Sequence, residues 1–276
     1  ANNGASFRPT NMGTVVSTFA FHPPDRTRAA ENEHPSTSRL TTDAGDTVPA
    51  VGLWSTGFSP ELVFLYCHGN AEDLGQIWPE LQWYARTLGV PIFGFDYPGY
   101  GTATGSPSEE GCFAAARAVW AHVRETAPKA RIILFGRSLG SGPAVHLAVR
   151  AQESDVERRW LGGLVLQSPL ASGVGTVLGR VGEGALKSID IMRNAEKMAT
   201  VRCPVCVMHG TDDGVVPCAH GRRLDAIARR HAKWTHEPLW MRGRGHNDMP
   251  REQCAAHVGA FVAALRTSLQ PKAAPS

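Results

Sequence analysis

The sequence predicts an α/β protein with a mostly parallel central sheet and helices on both faces. Three observations carry this reading. Apolar runs recur along the chain at Leu62–Tyr66, Ile92–Asp96, Arg131–Phe135, Leu164–Gln167, Val205–Met208 and Leu239–Met241. Each is strand-sized and nearly continuous rather than alternating, as strands buried on both faces must be. The segments between them carry helical periodicity, which parallel neighbours need for their crossovers. With 276 residues, 42% hydrophobic and 19% charged, the chain has material for about one large domain and the balance of an ordinary globular protein.

Taken in order, residues 1–37 read as an irregular segment apart from Val15 to Phe21, which ends at His22-Pro23-Pro24. A single α/β domain is expected over 38–268. Leu40 to Trp54 reads as a hairpin around Asp43-Ala44-Gly45-Asp46. After the strand at 92–96, Ser106-Pro107-Ser108-Glu109 predicts a helix start, with Ser106 as N-cap, Pro107 first and Glu109 third. Phe113, Ala116, Trp120 and Val123 then fall on one face. Pro143 lies early in the helix after the 131–135 strand and is expected to disturb its first turns. Residues 168–200 hold Gly173, Gly175, Gly179, Gly182 and Gly184, which predicts a short, Gly-rich lid or cap segment that leaves the site beneath it open. Cys254, Val258, Phe261, Val262 and Leu265 mark the core face of a C-terminal helix, and 269–276 read as a mobile tail.

Composition narrows the function. A net charge of +3 without a long basic run argues against nucleic acid, while leaving weak attraction to an acidic membrane surface open. No apolar run is long enough to span a bilayer, and no charged segment followed by an apolar core opens the chain as a signal peptide would. The six cysteines do not form a secreted disulfide framework; Cys203-Pro204-Val205-Cys206 is a lone CxxC at the entry of a core strand and reads as buried, reduced thiols. Cytoplasmic localisation is therefore expected, with peripheral membrane association if a lipidated segment precedes Ala1. No dinucleotide glycine motif follows the first strand, and there is no P-loop or metal-spaced histidine cluster, so neither cofactor nor metal is expected.

The chemistry-bearing motif is Gly136-Arg137-Ser138-Leu139-Gly140, directly after an apolar strand. A serine on a strand-to-helix turn is held strained, with its hydroxyl exposed above the sheet. Two further loops supply partners in the order Ser, acid, His. Val205–Met208 runs into His209-Gly210-Thr211-Asp212-Asp213, and Leu239–Met241 into Arg242-Gly243-Arg244-Gly245-His246. Serine is a poor nucleophile at neutral pH and needs a general base, here His246. Asp213 would fix the imidazole tautomer, with Asp212 the competing acid. Leu62–Tyr66 leads into His68-Gly69-Asn70, whose turn supplies one backbone N–H of an oxyanion hole at Asn70; Leu139 supplies the other. The His68 ring reads as structural.

These elements resemble the α/β-hydrolase superfamily, and within it the seventeenth group of α/β-hydrolase-domain proteins, the membrane-protein depalmitoylases. The similarity is carried by Phe19 to Pro24, HGNAEDLG at 68–75, DYPGYG at 96–101, PSE at 107–109, GRSLG at 136–140, QSPLASG at 167–173, HGTDDGVVP at 209–217 and EPLWMRGRGHND at 237–248. The resemblance implies an α/β-hydrolase fold and a triad of Ser138, Asp213 and His246. It implies hydrolysis of a palmitoyl thioester on a protein cysteine through an acyl-enzyme. The expected partner is thus an acylated protein or a lipid ester. Three positions depart from the group: Arg137 stands where glutamine is usual, Ala103 where serine is common, and the first cysteine is Cys67 rather than one of an N-terminal lipidated cluster. Two other functions are compatible with the motifs: a broad carboxylesterase or lysophospholipase, and a non-catalytic binding module on the same scaffold. Nothing in the pattern sets an oligomeric state.

Overall fold

The computed structural model describes residues 21–25, 36–54, 61–173 and 190–269. Among the described residues, eight strands form one sheet: β1 (Thr37–Thr41), β2 (Thr47–Leu53), β3 (Leu62–Cys67), β4 (Ile92–Phe95), β5 (Arg131–Arg137), β6 (Leu161–Gln167), β7 (Val205–Gly210) and β8 (Leu239–Met241). Their order is β1-β2-β4-β3-β5-β6-β7-β8. Only the β1–β2 and β2–β4 pairs are antiparallel; from β4 onward every pair is parallel. Their carboxyl ends therefore share one edge, where ligand sites of such sheets form.

Seven helices are described: α1 (Leu74–Leu88), α2 (Glu109–Thr126), α3 (Ser141–Glu153), the short α4 (Asp155–Arg158) and α5 (Asn194–Met198), α6 (Ala219–His231) and α7 (Arg251–Leu269). They cover both sheet faces. Val63, Leu65, Ile132 and Leu134 point to one side, against Val119 and Trp120 of α2 and Val145 and Ala148 of α3. Phe64, Tyr66, Ile133 and Phe135 point to the other, against Ile77, Leu81 and Tyr84 of α1 and Val258, Phe261 and Leu265 of α7. The alternation of neighbours between two cores explains why these strands are apolar throughout. The stripes on α2 and α7 expected from the sequence are buried.

Several boundaries differ from the sequence reading. β1 begins at Thr37, three residues before Leu40, and β6 at Leu161 rather than Leu164, because Gly162 and Gly163 interrupt the apolar signal without ending the strand. The N-cap of α2 is Ser108, not Ser106: Ser108 is extended and its Oγ accepts from the Gly111 N–H at 2.9 Å. Pro107 stays outside the helix, packed against the turn at Gly99, and a residue before proline avoids the helical region. Pro143 is the third residue of α3, in the first turn, where an N–H has no intrahelical partner to lose. The irregularity lies just before it, as a 3-10 turn at Ser138–Gly140. Like most of 1–37 and all of 270–276, residues 174–189 of the Gly-rich segment fall outside the described residues. Its described ends are tied together: the Gly173 N–H donates to Ile191 O at 2.9 Å and Ser172 Oγ to Asp190 Oδ2 at 2.7 Å. All six cysteines are buried free thiols; burial pushes the Cys203 thiol up to about 12.

Candidate active site

β5 carries Ser138 to the sheet's carboxyl edge. Its φ of 51° lies in the left-handed region that side chains avoid, which is the strain expected of a serine pushed out on a tight turn. The turn needs glycine on its far side. A Cβ on Gly140 would stand 2.0 Å from Cys67 O, so the end of β3 passes directly under the start of α3. Ser141 Oγ donates to Ser138 O at 2.7 Å and accepts from Asn194 Nδ2 at 3.2 Å, bracing the turn from within. Ser138 is 8% exposed.

Asp213 and His246 come from the loops after β7 and β8, which are stitched together. Asp212 N donates to Arg244 O at 2.9 Å, Thr211 N to Met241 O at 2.9 Å, and Gly243 N to Thr211 Oγ1 at 2.9 Å. Gly210 permits this approach, since a Cβ there would meet Arg244 O at 2.2 Å. His246 Nδ1 lies 2.7 Å from Asp213 Oδ2, and Nε2 lies 3.0 Å from Ser138 Oγ. A carboxylate only accepts, so the proton sits on Nδ1 and leaves Nε2 to accept from the serine hydroxyl. Three residues separated by up to 108 positions thus form one hydrogen-bonded relay.

The carboxylate of Asp213 is fully engaged. Oδ1 accepts from the N–H groups of Val215 at 2.9 Å and Val216 at 2.7 Å; Oδ2 accepts from His246 and from His209 Nε2 at 3.1 Å. Burial alone would raise its pKa, but the bonds from His209, His246 and Val216 outweigh it and hold the carboxyl well below the usual range. Asp212 turns away, exposed, and accepts from Thr211 Oγ1 at 2.7 Å.

Asn70 lies beyond β3, beside the nucleophile turn: β3 and β5 are parallel neighbours in which Cys67 pairs with Gly136. Asn70 and Leu139 each stand three residues past that pair, so the two expected oxyanion donors leave adjacent strands at the same level. The Asn70 side chain fixes its loop, with Oδ1 accepting from His22 N at 2.8 Å and Tyr100 Oη at 2.7 Å. The described part of the N-terminal segment is thereby tied to the site, which sequence reasoning did not foresee. The His68 ring is fully buried with Nδ1 2.8 Å from Gly69 O; burial pushes its imidazole down to about 4, so it is neutral and structural.

Arg137 and Glu72 were also missed as a pair. Glu72 Oε2 accepts from the Gly69 N–H at 2.7 Å, its other oxygen pairs with Arg137, and Arg137 donates to Asn247 Oδ1 at 2.8 Å. This chain of contacts links the turn bearing Asn70 to the residue after His246. Next to it a cavity of about 390 Å³ opens, lined by Gln76, Glu80, Arg137, Gln167, His246 and Asn247 among others. A larger cavity of about 640 Å³ lies at the opposite end of the sheet, against Arg131, Leu161 and Pro204 at the starts of β5 and β6 and just before β7, and shares no residue with the relay. The smaller one lies at the carboxyl edge beside His246, where ligand sites of such sheets form.

A family model described as the alpha/beta hydrolase fold matches residues 63–172, which include the Asn70 turn and the nucleophile turn. The chain belongs to the α/β-hydrolase superfamily. Among curated relatives, alpha/beta hydrolase domain-containing protein aho-3 of Caenorhabditis elegans is 38% identical over 187 residues, covering 67% of this chain and 52% of that protein. Human alpha/beta hydrolase domain-containing protein 17B is 35% identical over 191 residues, covering 67% of this chain and 60% of that one. The chain therefore spans about half to three-fifths of the relatives' length. Solved α/β-hydrolases share the fold at low identity. The esterase Pf2001 of Pyrococcus furiosus superposes with a TM-score of 0.66 at 15% identity, covering 88% of this chain and 98% of that one. Est1E of Butyrivibrio proteoclasticus, solved with ferulic acid bound, gives 0.66 at 17%, covering 83% and 99%.

Proposed function

We propose that this α/β-hydrolase is a serine hydrolase that cleaves acyl thioesters through Ser138, His246 and Asp213, with palmitoylated protein cysteines as its substrate class. The observation that carries the reading is the continuous relay from Ser138 Oγ through His246 to Asp213, at 3.0 and 2.7 Å, with the serine in a strained backbone conformation.

Ser138 Oγ attacks the acyl carbonyl while His246 Nε2 takes its proton, and Asp213 stabilises the resulting imidazolium. The carbonyl oxygen becomes an oxyanion facing the N–H groups of Asn70 and Leu139, beside the positive end of α3. Collapse breaks the C–S bond. A cysteine thiolate has a conjugate acid near pKa 8.5, so it leaves with little help, and the proton on His246 can pass to it. Water then enters, His246 takes its proton, and attack on the acyl-enzyme releases the fatty acid and restores Ser138.

Two features favour an acylated peptide as the substrate. The cavity beside His246 is lined by polar side chains that suit a peptide leaving group. The chain is 35% identical over 191 residues to human alpha/beta hydrolase domain-containing protein 17B, one of the group whose motifs it resembles.

The test is labelling by a fluorophosphonate probe, with wild type beside Ser138→Ala and a palmitoyl-peptide competitor. The reading expects labelling that needs Ser138 and is blocked by the competitor. Ser138-dependent labelling without competition, together with faster turnover of short nitrophenyl esters or lysolipids, would assign a broader esterase instead. Folded protein that never reacts would make it a binding module.

A further inference from the structure

We propose that His209 is a positioning residue for the acid of this site: its Nε2–H holds Asp213 Oδ2 in line with His246 and limits the negative charge that oxygen offers to the imidazole. The inference rests on Ser138, His246 and Asp213 acting as a triad.

His209 stands in β7, fully buried, after the apolar run Val205-Cys206-Val207-Met208. Its Nε2 lies 3.1 Å from Asp213 Oδ2 and 2.8 Å from Val216 O. Both partners are acceptors, so the proton is on Nε2 and is shared between them. Nδ1 is buried with no hydrogen-bond partner among the described residues. It faces Gly221 of α6, where a Cβ would come within 2.5 Å of it. The fold thus clears space for a polar ring and leaves one of its nitrogens unpaired, a cost that an apolar side chain of similar size would avoid. The compensation is the bond to Asp213, because Oδ2 is the same oxygen that receives His246 Nδ1. Two donors at one oxygen fix its direction and share its charge.

The groups around Asp213 are few. His209 faces it from β7 and His246 from the loop after β8, while Cys218, just ahead of α6 and bonded by Arg222, stands nearby. His220, also on α6, is committed to the Ala171 N–H. Removing the His209 donor leaves Oδ2 a stronger acceptor for the His246 imidazolium. The acid limb of kcat/KM then moves up.

The experiment measures kcat/KM against pH on an activated ester for the wild type, His209→Leu, His209→Asn and His209→Gln. The Gln amide nitrogen can reach the Nε2 position, whereas the Asn amide is one methylene too short. Expected are a fall of about 10- to 100-fold in kcat/KM for Leu and Asn, carried by kcat with KM little changed, an acid limb displaced to higher pH, and recovery of both in Gln. If the Leu variant does not fold, the Asn–Gln pair decides alone. An unmoved acid limb in Asn, or Gln no better than Asn, would overturn the inference and leave His209 a packing residue. Fluorophosphonate labelling that survives Ser138→Ala would instead overturn the triad reading itself, whatever the His209 variants do.

Discussion

Asp212 and Asp213 are adjacent carboxylates in one loop, and the difference between them is where each points. Asp213 receives four hydrogen bonds, two from backbone N–H groups and two from imidazoles. Asp212 receives one from a neighbouring threonine hydroxyl and faces solvent. Converting Asp213 to Asn would place an NH2 where an acceptor is needed and favour the wrong His246 tautomer. We expect Asp213→Asn to lower kcat by about 1,000- to 10,000-fold and Asp212→Asn to leave it within about threefold, read on the same activated ester. The inverse pattern would transfer the acid role to Asp212. The resemblance carried by HGTDDGVVP at 209–217 pointed to Asp213, but the second imidazole on its carboxylate was not legible. His209 looked like the end of an apolar strand, and only the fold of the loop back over β7 brings it to Oδ2.

At the scale of elements, the cap of α2 shows how a local signal can be right in kind and displaced in register. Ser106 and Ser108 both precede a glutamate-rich helix start, and Pro107 favours Ser106 as the cap because proline suits the first helical position. Packing of Pro107 against the turn at Gly99 removes it from the helix, so Ser108 caps instead. Ser108→Ala should therefore cost about 1 kcal/mol of stability in urea unfolding, whereas Ser106→Ala should be close to neutral. Equal effects would mean that the capping bond contributes nothing. The Arg137–Glu72 pair belongs to the same scale. It joins the loops after β3 and β8 through one guanidinium.

For the whole molecule, pH couples to stability through groups that the core keeps neutral. Burial pushes the imidazoles of His68, His146 and His257 down to about 4 each, while in the unfolded chain they titrate near about 6.5. Between those values the unfolded chain binds more protons, so stability is full above about pH 6.5 and is lost as pH falls toward 4. Asp213 adds a second loss at lower pH: its depressed pKa stabilises the fold above about pH 3.9, and that contribution disappears as pH falls further. Glu80, raised by burial, works in the opposite sense, but it is one carboxyl acting near its own range against three imidazoles. Urea midpoints should therefore drop steadily from pH 7 to pH 5 at constant m value. A flat midpoint across that interval would show that the three histidines are not held neutral.

The sequence by itself determined the parallel, doubly covered sheet, because strands buried on both faces must be apolar at every position and that run is visible without any partner. It also determined the chain order of the serine, aspartate and histidine that the structure brings together, because each motif sits at a strand end and local turn chemistry marks strand ends. What only the tertiary structure decided is everything that depends on distance between loops: the relay geometry, the second imidazole on Asp213, the guanidinium tie from Glu72 to Asn247, and the anchoring of Asn70 by His22 and Tyr100. These contacts join residues that share no periodicity and no spacing rule. They exist because parallel strands deliver their carboxyl ends to one edge, and because the backbone at Gly140 and Gly210 lets neighbouring loops approach closer than any side chain would allow.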